Sequence, residues 1–247
     1  MTSISEEYRE LYAGYYADPR GGLAIKRALA AADSLQHMRE LLAGYNPATI
    51  IDVGAGNGSV LEALQHSGLG NRLAAVEISA SGIAEINARQ LPKVVDVQLF
   101  DGYRIPHGDG AFDLAIAIHV LEHVEHERVL LRELQRVARR IIVEVPLENG
   151  LRARSAIRAG RPNGHINYYT PETFINLLET SGLRVIDHAV HTSSPAYEQF
   201  LSGRIKGRIK HTIRKAALAV APTVAPWLAT YLLTAYCEAH AADRPAL

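Results

Sequence analysis

The segment HVLEH places His119 and His123 four residues apart, with Glu122 directly before the second histidine. These letters match H-x-x-E-H, an inverted zinc-protease signature in which two imidazoles bind the ion and a glutamate acts as base. That chemistry requires both histidines one turn apart on a single helix. The alternative is the end of one structural element and the beginning of the next, with histidines that share no metal. The surrounding sequence must decide between these interpretations.

A second chemical signal is the segment DVGAGNG, in which Gly54, Gly56 and Gly58 alternate and Asp52 stands two residues before the first of them. Glycines permit positive φ angles and let the backbone approach a ligand closely. A helix that begins after such a loop offers free N–H groups and the positive end of its dipole. A dinucleotide site has the spacing G-x-G-x-x-G. The spacing here therefore disfavours a nicotinamide cofactor, and three alternating glycines disfavour an ordinary tight turn.

Two more acidic residues follow the next two apolar runs. Glu77 ends RLAAVE, where a carboxylate can accept hydrogen bonds from both hydroxyls of a ribose. Asp101 follows VVDVQLF, where a carboxylate can accept from the exocyclic amine of adenine. Ligands of parallel sheets bind beyond the carboxyl ends of the strands. A single acid in a loop is usually only solvated, but Asp52, Glu77 and Asp101 at successive strand ends predict a ligand site at this edge.

The elements that must position these residues predict a doubly wound α/β fold. Runs of strand length, apolar throughout, alternate with segments of helix length, which is typical of a parallel sheet covered on both faces. The runs are ATIIDVG, RLAAVEIS, VVDVQLF, FDLAIAI and IIVEVP. FDLAIAI would carry His119 at the end of the fourth strand. The helical spacing that zinc requires at HVLEH is therefore not expected.

Helices are predicted on both sides of these runs. Residues 4–17 and 22–43 have apolar positions near helical spacing, and HERVLLRELQRVARR has one apolar stripe. Thr170 is typical of an N-cap and Pro171 of the first helical position. They predict a helix that ends at Gly182, and the strand LRVIDHAV is predicted after it.

Composition and charge restrict the class of protein. The single cysteine, Cys237, excludes an internal disulfide and a Cys-based zinc site, and together with an acidic, polar N-terminus it predicts a cytoplasmic protein. The net charge is −6 over residues 1–149 and +7 over residues 150–215. Residues 216–237 contain no acidic or basic side chain apart from tyrosine and cysteine, but Pro222 and Pro226 interrupt them. They predict a buried helix end and a strand, with membrane association as the alternative.

In their order along the chain, DVGAGNG, VEIS, FDG, FDLAIAIHVLEHV and GHINYYTPETF resemble the class I S-adenosylmethionine-dependent methyltransferases of the small-molecule type, similar to methyltransferase types 11 and 23. The resemblance covers roughly residues 45–190. It implies a Rossmann-like, mostly parallel seven-stranded sheet whose last strand is antiparallel, with TYLLTAYCE (230–238) as the candidate. It also implies an N-terminal helical cap at residues 1–44 and a methyltransferase domain at residues 45–247, with a basic insertion at about 195–226.

The same resemblance implies S-adenosylmethionine as cofactor and S-adenosylhomocysteine as product. The methionine portion would contact Asp52, Gly54, Ala55, Gly56, Asn57 and Gly58. The ribose and adenine would contact Glu77, Ile78, Asp101, and the backbone of Gly102 and Tyr103. The main chain at His119 and Val120 would meet the amino group of the cofactor. Tyr16 is a candidate to cover the cofactor, with ordinary packing as the alternative.

Methyl transfer from a sulfonium is an in-line displacement that depends mainly on positioning. A hydroxyl or ammonium acceptor must also lose a proton, and histidine is suited to this near neutral pH. His123 is the first candidate for the base, His165 is a second catalytic candidate, and Tyr168 is a candidate substrate contact. For each histidine, a packed or solvated side chain is the alternative. The Asp/Asn set of magnesium-dependent catechol methyltransferases is not found, so the sequence predicts no metal.

Two basic segments bear on the acceptor. Arg152 and Arg154 follow the fifth strand, where substrate enters in this fold, and are predicted substrate contacts. The segment GRIKGRIKHTIRK (203–215) predicts a helix with one apolar face and cationic flanks. Arginine clusters suit phosphate groups. The acceptor is therefore expected to be a small molecule or glycan that is anionic or lipid-linked, such as a nucleotide sugar, with peripheral contact at the inner membrane surface. A lid and a solvated insertion are the alternatives for this segment.

Two other functions remain open. A non-catalytic cofactor-binding or regulatory protein of the same fold has no support, because the glycines and all three acids are present. A nucleic-acid methyltransferase would use the basic segments for phosphates. However, the chain lacks the N/D-P-P-Y/F tetrapeptide of enzymes that methylate amino groups of bases, so nucleic acid is disfavoured. The sequence leaves open O- or N-methylation and the oligomeric state.

Overall fold

The computed structural model describes residues 21–148, 150–151, 153 and 164–239. Its centre is a seven-stranded sheet with strand order β3-β2-β1-β4-β5-β7-β6. The strands are β1 (Thr49–Val53), β2 (Arg72–Glu77), β3 (Val94–Leu99), β4 (Phe112–Ile118), β5 (Ala138–Leu147), β6 (Leu183–His191) and β7 (Tyr231–Ala239). Strands β1 to β5 pair in parallel, and β7 is antiparallel to both of its neighbours. The predicted sheet with its antiparallel last strand is confirmed.

Helices flank the sheet. They are α1 (Gly21–Leu42), α2 (Ser59–Gln65), α3 (Ala80–Ala88), α4 (Glu127–Val137), α5 (Pro171–Glu179), α6 (Pro195–Ser202), α7 (Arg204–Val220) and α8 (Ala225–Leu228). Helix α1 matches the helix predicted at residues 22–43, whereas the helix predicted at residues 4–17 lies outside the described residues. Helix α5 begins as predicted, because the Thr170 side chain accepts a hydrogen bond from the backbone N–H of Thr173 and Pro171 is the first helical residue.

The core lies on both faces of the sheet. Successive residues of a strand point to opposite faces, and Ile50 and Ile51 of β1 belong to two different buried clusters. Helix α4 packs on one cluster through Leu134, and α1 packs on the other through Met38. Burial on both faces explains why the strands have continuous apolar runs instead of alternating ones.

The long run without charged residues contains three separate elements. Helix α7 ends at Val220, α8 follows, and β7 begins at Tyr231 in the interior of the sheet. Cys237 lies on β7, where burial raises the pKa of its thiol to about 12. Among the described residues, no helix is long and apolar enough to cross a bilayer.

Candidate functional site

The glycine loop between β1 and α2 has left-handed backbone at each of its three glycines. The φ angles of Gly54, Gly56 and Gly58 are 78°, 58° and 79°. A Cβ added to Gly54 would lie 2.7 Å from Cγ2 of Val120, in the segment that follows β4. Gly58 is the N-cap of α2, so the loop leads directly into a helix N-terminus. The loop therefore brings backbone N–H groups and the positive end of the α2 dipole to the carboxyl edge of the sheet.

A cavity of about 180 Å³ lies against this loop, and we call it the cofactor cavity. Among the residues predicted to bind the cofactor, it is lined by Asp52, Gly54, Ala55, Gly56, Asn57 and His119. Helix α1 contributes Arg27, Ala30, Ala31 and Ser34 to the same wall. The sequence did not indicate these four residues, because a helix far upstream of the glycine loop carries no motif that relates it to the loop.

Two buried carboxyl groups, Asp52 and Glu77, lie close to the glycine loop. One oxygen of Asp52, Oδ2, has no hydrogen-bond partner among the described residues. Burial, and then the nearby Glu77, raise the pKa of Asp52 to about 7. The Glu77 carboxylate accepts hydrogen bonds from the backbone N–H of Gly56 at 2.9 Å and of Ser79 at 3.0 Å. Burial raises the pKa of Glu77, although these hydrogen bonds oppose the rise. Glu77 thus fixes the shape of the glycine loop from the neighbouring strand.

The residues predicted to bind adenine lie farther along the same edge. Oδ1 of Asp101 accepts hydrogen bonds from the backbone N–H of Tyr103 at 2.9 Å and of Arg104 at 2.6 Å. Gly102 lies between Asp101 and Tyr103 and has a φ of 93°. Ile78, after β2, packs partly buried against the core. Because β2 and β3 lie beyond β1 in the sheet, this group continues outward from the cofactor cavity instead of lining it.

His119 directly follows β4 and has a left-handed backbone, at a φ of 56°. Its imidazole lies between two buried carboxylates, with Nδ1 3.3 Å from Glu122 and Nε2 3.5 Å from Glu144. Burial lowers the pKa of His119, but Glu122 and then Glu144 outweigh it and raise the pKa to about 8. A single 3-10 turn, Leu121–His123, follows. His119 and His123 therefore do not share a helix, and the zinc-protease arrangement is not formed, as the sequence predicts.

His123 and His165 come together from distant parts of the chain. Their ring centroids are 4.7 Å apart and the rings are nearly perpendicular, at 78°. The segment 164–169 is attached to the 3-10 turn by hydrogen bonds. The Asn167 side chain donates to the carbonyl oxygens of Leu121 and Val124, and the backbone N–H of Asn167 donates to the carbonyl oxygen of Glu122. Burial, helped by the nearby His165, lowers the pKa of His123 against the opposing effect of Glu122.

Tyr168, a predicted substrate contact, does not line the cofactor cavity. Tyr168 lines a second cavity of about 460 Å³, which shares no lining residue with the cofactor cavity. Tyr16, Arg152 and Arg154 lie outside the described residues.

Sequence reasoning also missed Glu144, which lies on β5 and is completely buried. Its carboxylate accepts hydrogen bonds from Ser34 Oγ and Thr234 Oγ1, both at 2.5 Å, and lies 2.8 Å from Nδ1 of His37. Burial raises the pKa of Glu144, but His37, His119 and Ser34 lower it to about 2. The signal was available, because Glu144 is the one acidic residue in the apolar run IIVEVP.

The strand order, the glycine loop and the acids at the ends of β2 and β3 define a class I methyltransferase fold. A family model described as "Methyltransferase domain" matches residues 24–188, about two thirds of the chain, and the chain belongs to this family.

Comparison with known proteins agrees with this assignment. Norajmaline N-methyltransferase of Rauvolfia serpentina is 31% identical over 141 residues, which cover 52% of this chain and 47% of the relative. Ajmaline N-methyltransferase of the same plant is 35% identical over 98 residues, covering 37% of this chain and 33% of the relative. The matches thus span about half and a third of the lengths of these relatives.

Solved structures show the same fold at lower identity. Geranyl diphosphate C-methyltransferase from Streptomyces coelicolor superimposes with a TM-score of 0.65 at 16% identity, covering 97% of this chain and 100% of that chain. Magnesium protoporphyrin IX methyltransferase from Synechocystis superimposes with a TM-score of 0.56 at 14% identity, covering 87% of this chain and 84% of that chain.

The cofactor cavity fits S-adenosylmethionine. The buried Asp52 oxygen without a hydrogen-bond partner suits the ammonium group of the cofactor. At Gly54, Gly56 and Gly58 the loop has no side chain that would obstruct the approach of the cofactor. The chain therefore has the fold of this family and a cavity whose residues suit S-adenosylmethionine.

Proposed function

We propose that this enzyme methylates an oxygen or nitrogen atom of a small-molecule acceptor that binds against His123 and His165. The observation that carries this proposal is the position of His119. His119 lines the cofactor cavity, and its Nδ1 is 3.3 Å from the carboxylate of Glu122, the residue next to His123. His119 and Glu122 thus connect the cofactor cavity to the pair of imidazoles, which supports an acceptor site beside the cofactor site.

The chain contributes mainly position to this reaction. Bound S-adenosylmethionine supplies a methyl group on a positively charged sulfur. The glycine loop, Asp52 and Glu77 would hold its methionine and ribose portions, and the Asp101 turn would hold the adenine. His123 and His165 would bind the hydroxyl or amino group of the acceptor, and its proton is removed there. Holding two reactants in contact in this way can supply effective molarities of ~10⁵–10⁸ M.

The names of the two curated relatives favour nitrogen as the acceptor atom. They do not determine the acceptor of this chain, because the matches cover half or less of each relative. We infer an anionic acceptor, such as a nucleotide sugar or a lipid-linked glycan, from the basic segments. The part of this inference that concerns Arg152 and Arg154 rests on the sequence alone, since both lie outside the described residues.

Helix α7 supports contact with an anionic membrane surface. Ile205, Ile209 and Ile213 form a stripe along the helix and are 74%, 54% and 63% exposed. Lys206 and Arg208 are exposed beside this stripe. An apolar stripe with exposed cationic neighbours is the pattern of helices that lie in a membrane interface.

Contacts on the other side of α7 determine which way the helix faces. A Cβ at the buried Gly207 would lie 2.4 Å from Cα of Gln199 on α6, so α7 packs on α6 through the side opposite Ile205 and Ile209. Lys210 and Arg214 both form ion pairs with the buried Glu198 of α6. These two cations attach the helix to the protein, and the isoleucine stripe is left to face outward.

The proposed function can be tested by ligand binding and then by turnover. S-adenosylhomocysteine at about one hundred times its dissociation constant should stabilise the protein by ~2.7 kcal/mol in thermal unfolding, whereas NAD should not. Release of S-adenosylhomocysteine from S-adenosylmethionine is then measured with nucleotide sugars, lipid-linked glycans and amines. Absence of any stabilisation by S-adenosylhomocysteine would contradict the proposal.

Substitution of His123 separates the two halves of the site. His123→Ala should abolish turnover and leave the affinity for S-adenosylhomocysteine unchanged, because the ring is not part of the cofactor cavity. His66→Ala, at an exposed histidine outside the site, is the control and should change neither property. Loss of cofactor affinity in His123→Ala would place this residue in the cofactor site instead.

A further inference from the structure

Glu122, His123 and His165 form a cluster in which one donor atom of each residue lies within 4.8 Å of the other two. Glu122 is buried, with 1% of its surface exposed. Neither of its carboxylate oxygens accepts a hydrogen bond from the described residues. Nδ1 of His119 is 3.3 Å from one oxygen, but the contact does not have hydrogen-bond geometry. A buried carboxylate is costly unless cations or hydrogen-bond donors accompany it, and protonated His119 is one such partner of Glu122. The carboxylate can still bind a second cation, because neither oxygen accepts a hydrogen bond from the described residues.

The two histidines are oriented as metal ligands usually are. Nδ1 of His165 is 2.7 Å from a carboxylate oxygen of Glu148. Nδ1 of His123 is 3.2 Å from the carbonyl oxygen of Gly164. In metal sites, an imidazole commonly donates one N–H to a carboxylate or a carbonyl and binds the ion through its other nitrogen. The same arrangement here would present Nε2 of each ring to an ion.

Hydrogen bonds between the segment 164–169 and the 3-10 turn also hold the cluster in place. His165 belongs to the segment 164–169, and the hydroxyl of Tyr169 donates to the carbonyl oxygen of Leu121 at 3.1 Å. The backbone N–H of Ile166 donates to the carbonyl oxygen of Glu122 at 2.8 Å. Ligands from two distant segments are therefore fixed relative to each other before any ion binds.

We propose that Glu122, His123 and His165 bind a divalent transition-metal cation, with Zn²⁺ the best match, in an open site of three protein ligands. Two imidazoles and one carboxylate are a donor set of catalytic zinc sites. Magnesium prefers oxygen ligands, so this set disfavours it. With Zn–N distances of about 2.0–2.1 Å, the donors of a tetrahedral site are roughly 3.3 Å apart. The side chains must therefore close by up to roughly 1.5 Å when the ion binds.

The fourth position of such a site would bind the oxygen or nitrogen of the acceptor, and this role rests on the proposed function. A hydroxyl bound to the cation loses its proton to solvent more readily. The oxygen lone pair then forms the bond to the methyl carbon, and the electrons of the sulfur–carbon bond remain on sulfur. In this form of the enzyme, His123 is a ligand instead of a base. HVLEH then contributes Glu122 and His123 to a metal site whose second histidine is His165 and not His119.

Zinc binding to the chelator-treated full chain tests the proposal directly, with a competing chromophoric chelator as the readout. One Zn²⁺ should bind per chain, also in excess Mg²⁺. Glu122→Gln and His165→Ala should each weaken binding at least about 100-fold, and Glu148→Gln, which alters only the orientation of His165, about 10–100-fold. His66→Ala should bind Zn²⁺ like the wild type. S-adenosylhomocysteine affinity, measured in parallel, shows that each variant is folded.

The results separate this proposal from the proposed function. Protein that binds S-adenosylhomocysteine but has the same Zn²⁺ affinity with and without His165 overturns the metal site and leaves the methyltransferase function intact. Protein that binds Zn²⁺ at this cluster but not S-adenosylhomocysteine overturns the proposed function alone. Co²⁺ substitution tests the open position, since azide should shift the visible bands. Unchanged bands would show a closed site and contradict this part of the proposal.

Discussion

Nδ1 of His37, on α1, lies 2.8 Å from a carboxylate oxygen of Glu144, in the middle of β5. Both side chains are buried, and the ring of His191 stacks on His37 at a centroid distance of 3.8 Å. Ser34, one turn earlier on α1, donates to the other oxygen of Glu144 and also lines the cofactor cavity. One carboxylate therefore attaches the wall of the cofactor cavity to the central sheet.

Removing the charge of Glu144 should loosen this attachment. Glu144→Gln should lower the free energy of unfolding by about 3–5 kcal/mol, because it removes the buried charge and replaces one of the two acceptor oxygens with an NH2 group. It should also weaken binding of S-adenosylhomocysteine through the displaced α1. Urea unfolding and calorimetric titration measure the two effects. Glu85→Gln, at an exposed position of α3, is the control and should change stability by less than about 0.5 kcal/mol.

The effect of Glu144 should depend on pH. Its pKa is lowered from 4.5 to about 2 in the folded protein. Its stabilisation is therefore complete above the unfolded pKa and is lost as the pH falls toward the folded one. The difference in stability between the wild type and Glu144→Gln should shrink between about pH 5 and about pH 2. A difference that stays constant over this range would show that folding does not lower the pKa of Glu144.

The parts of the fold that could be predicted are those encoded locally. The runs around Ile50 and Leu114 are apolar throughout because the sheet is covered on both faces, and this pattern alone indicates parallel strands. The antiparallel direction of the last strand needed the family resemblance, and its place between β5 and β6 was not predicted, because a nine-residue strand does not specify its neighbours. The short helices α6 and α8 gave no comparable signal.

The candidate site also has a part that the local sequence indicates and a part that only the folded chain brings together. The glycine loop and the acids at the ends of β2 and β3 could be recognised because each lies at or close to the end of its strand. The contact of Glu144 with His37 joins residues 107 positions apart, and His165 reaches His123 only because the segment 164–169 binds the 3-10 turn. The prediction that no metal binds considered only residues with the spacing of a known motif. Glu122, His123 and His165 have no such spacing.

Asp52 should make the protein without cofactor less stable as the pH rises. Its folded pKa of about 7 lies above its unfolded value of 3.8, so the folded state holds an extra proton between these values. The free energy of unfolding should therefore fall between about pH 4 and about pH 7, by up to about 1.4 kcal/mol per pH unit. Asp52→Asn should remove this slope and be more stable than the wild type at about pH 8.

The same substitution should harm cofactor binding. Asp52→Asn removes the carboxylate that suits the cofactor ammonium, so affinity for S-adenosylhomocysteine should fall while stability above neutral pH rises. Urea unfolding at several pH values and calorimetric titration give the two results. Parallel pH profiles for the wild type and the variant would mean that Asp52 ionises normally.

Gly54 should be required both for its backbone and for the space it leaves. At a φ of 78°, any L-residue costs about 1–2 kcal/mol. In Gly54→Ala the new Cβ also meets Val120 at 2.7 Å, and such overpacking adds about 1–3 kcal/mol. Gly68→Ala is a matched control, since Gly68 has a φ of 79° and no atom within 4 Å of an added Cβ. Only Gly54→Ala should weaken S-adenosylhomocysteine binding, and equal losses of stability in both variants would contradict the contact.

Helix α7 should bind anionic vesicles through its exposed cations. Each lysine or arginine near such a surface contributes about 1 kcal/mol, so the double substitution Lys206→Glu with Arg208→Glu should weaken sedimentation with phosphatidylglycerol vesicles at least about 30-fold. Lys210 is kept, because its ion pair with Glu198 supports the fold. Arg72→Glu with Arg132→Glu makes the same change in net charge at exposed positions on β2 and α4. If both double variants lose binding equally, net charge alone drives the association and α7 has no special role in it.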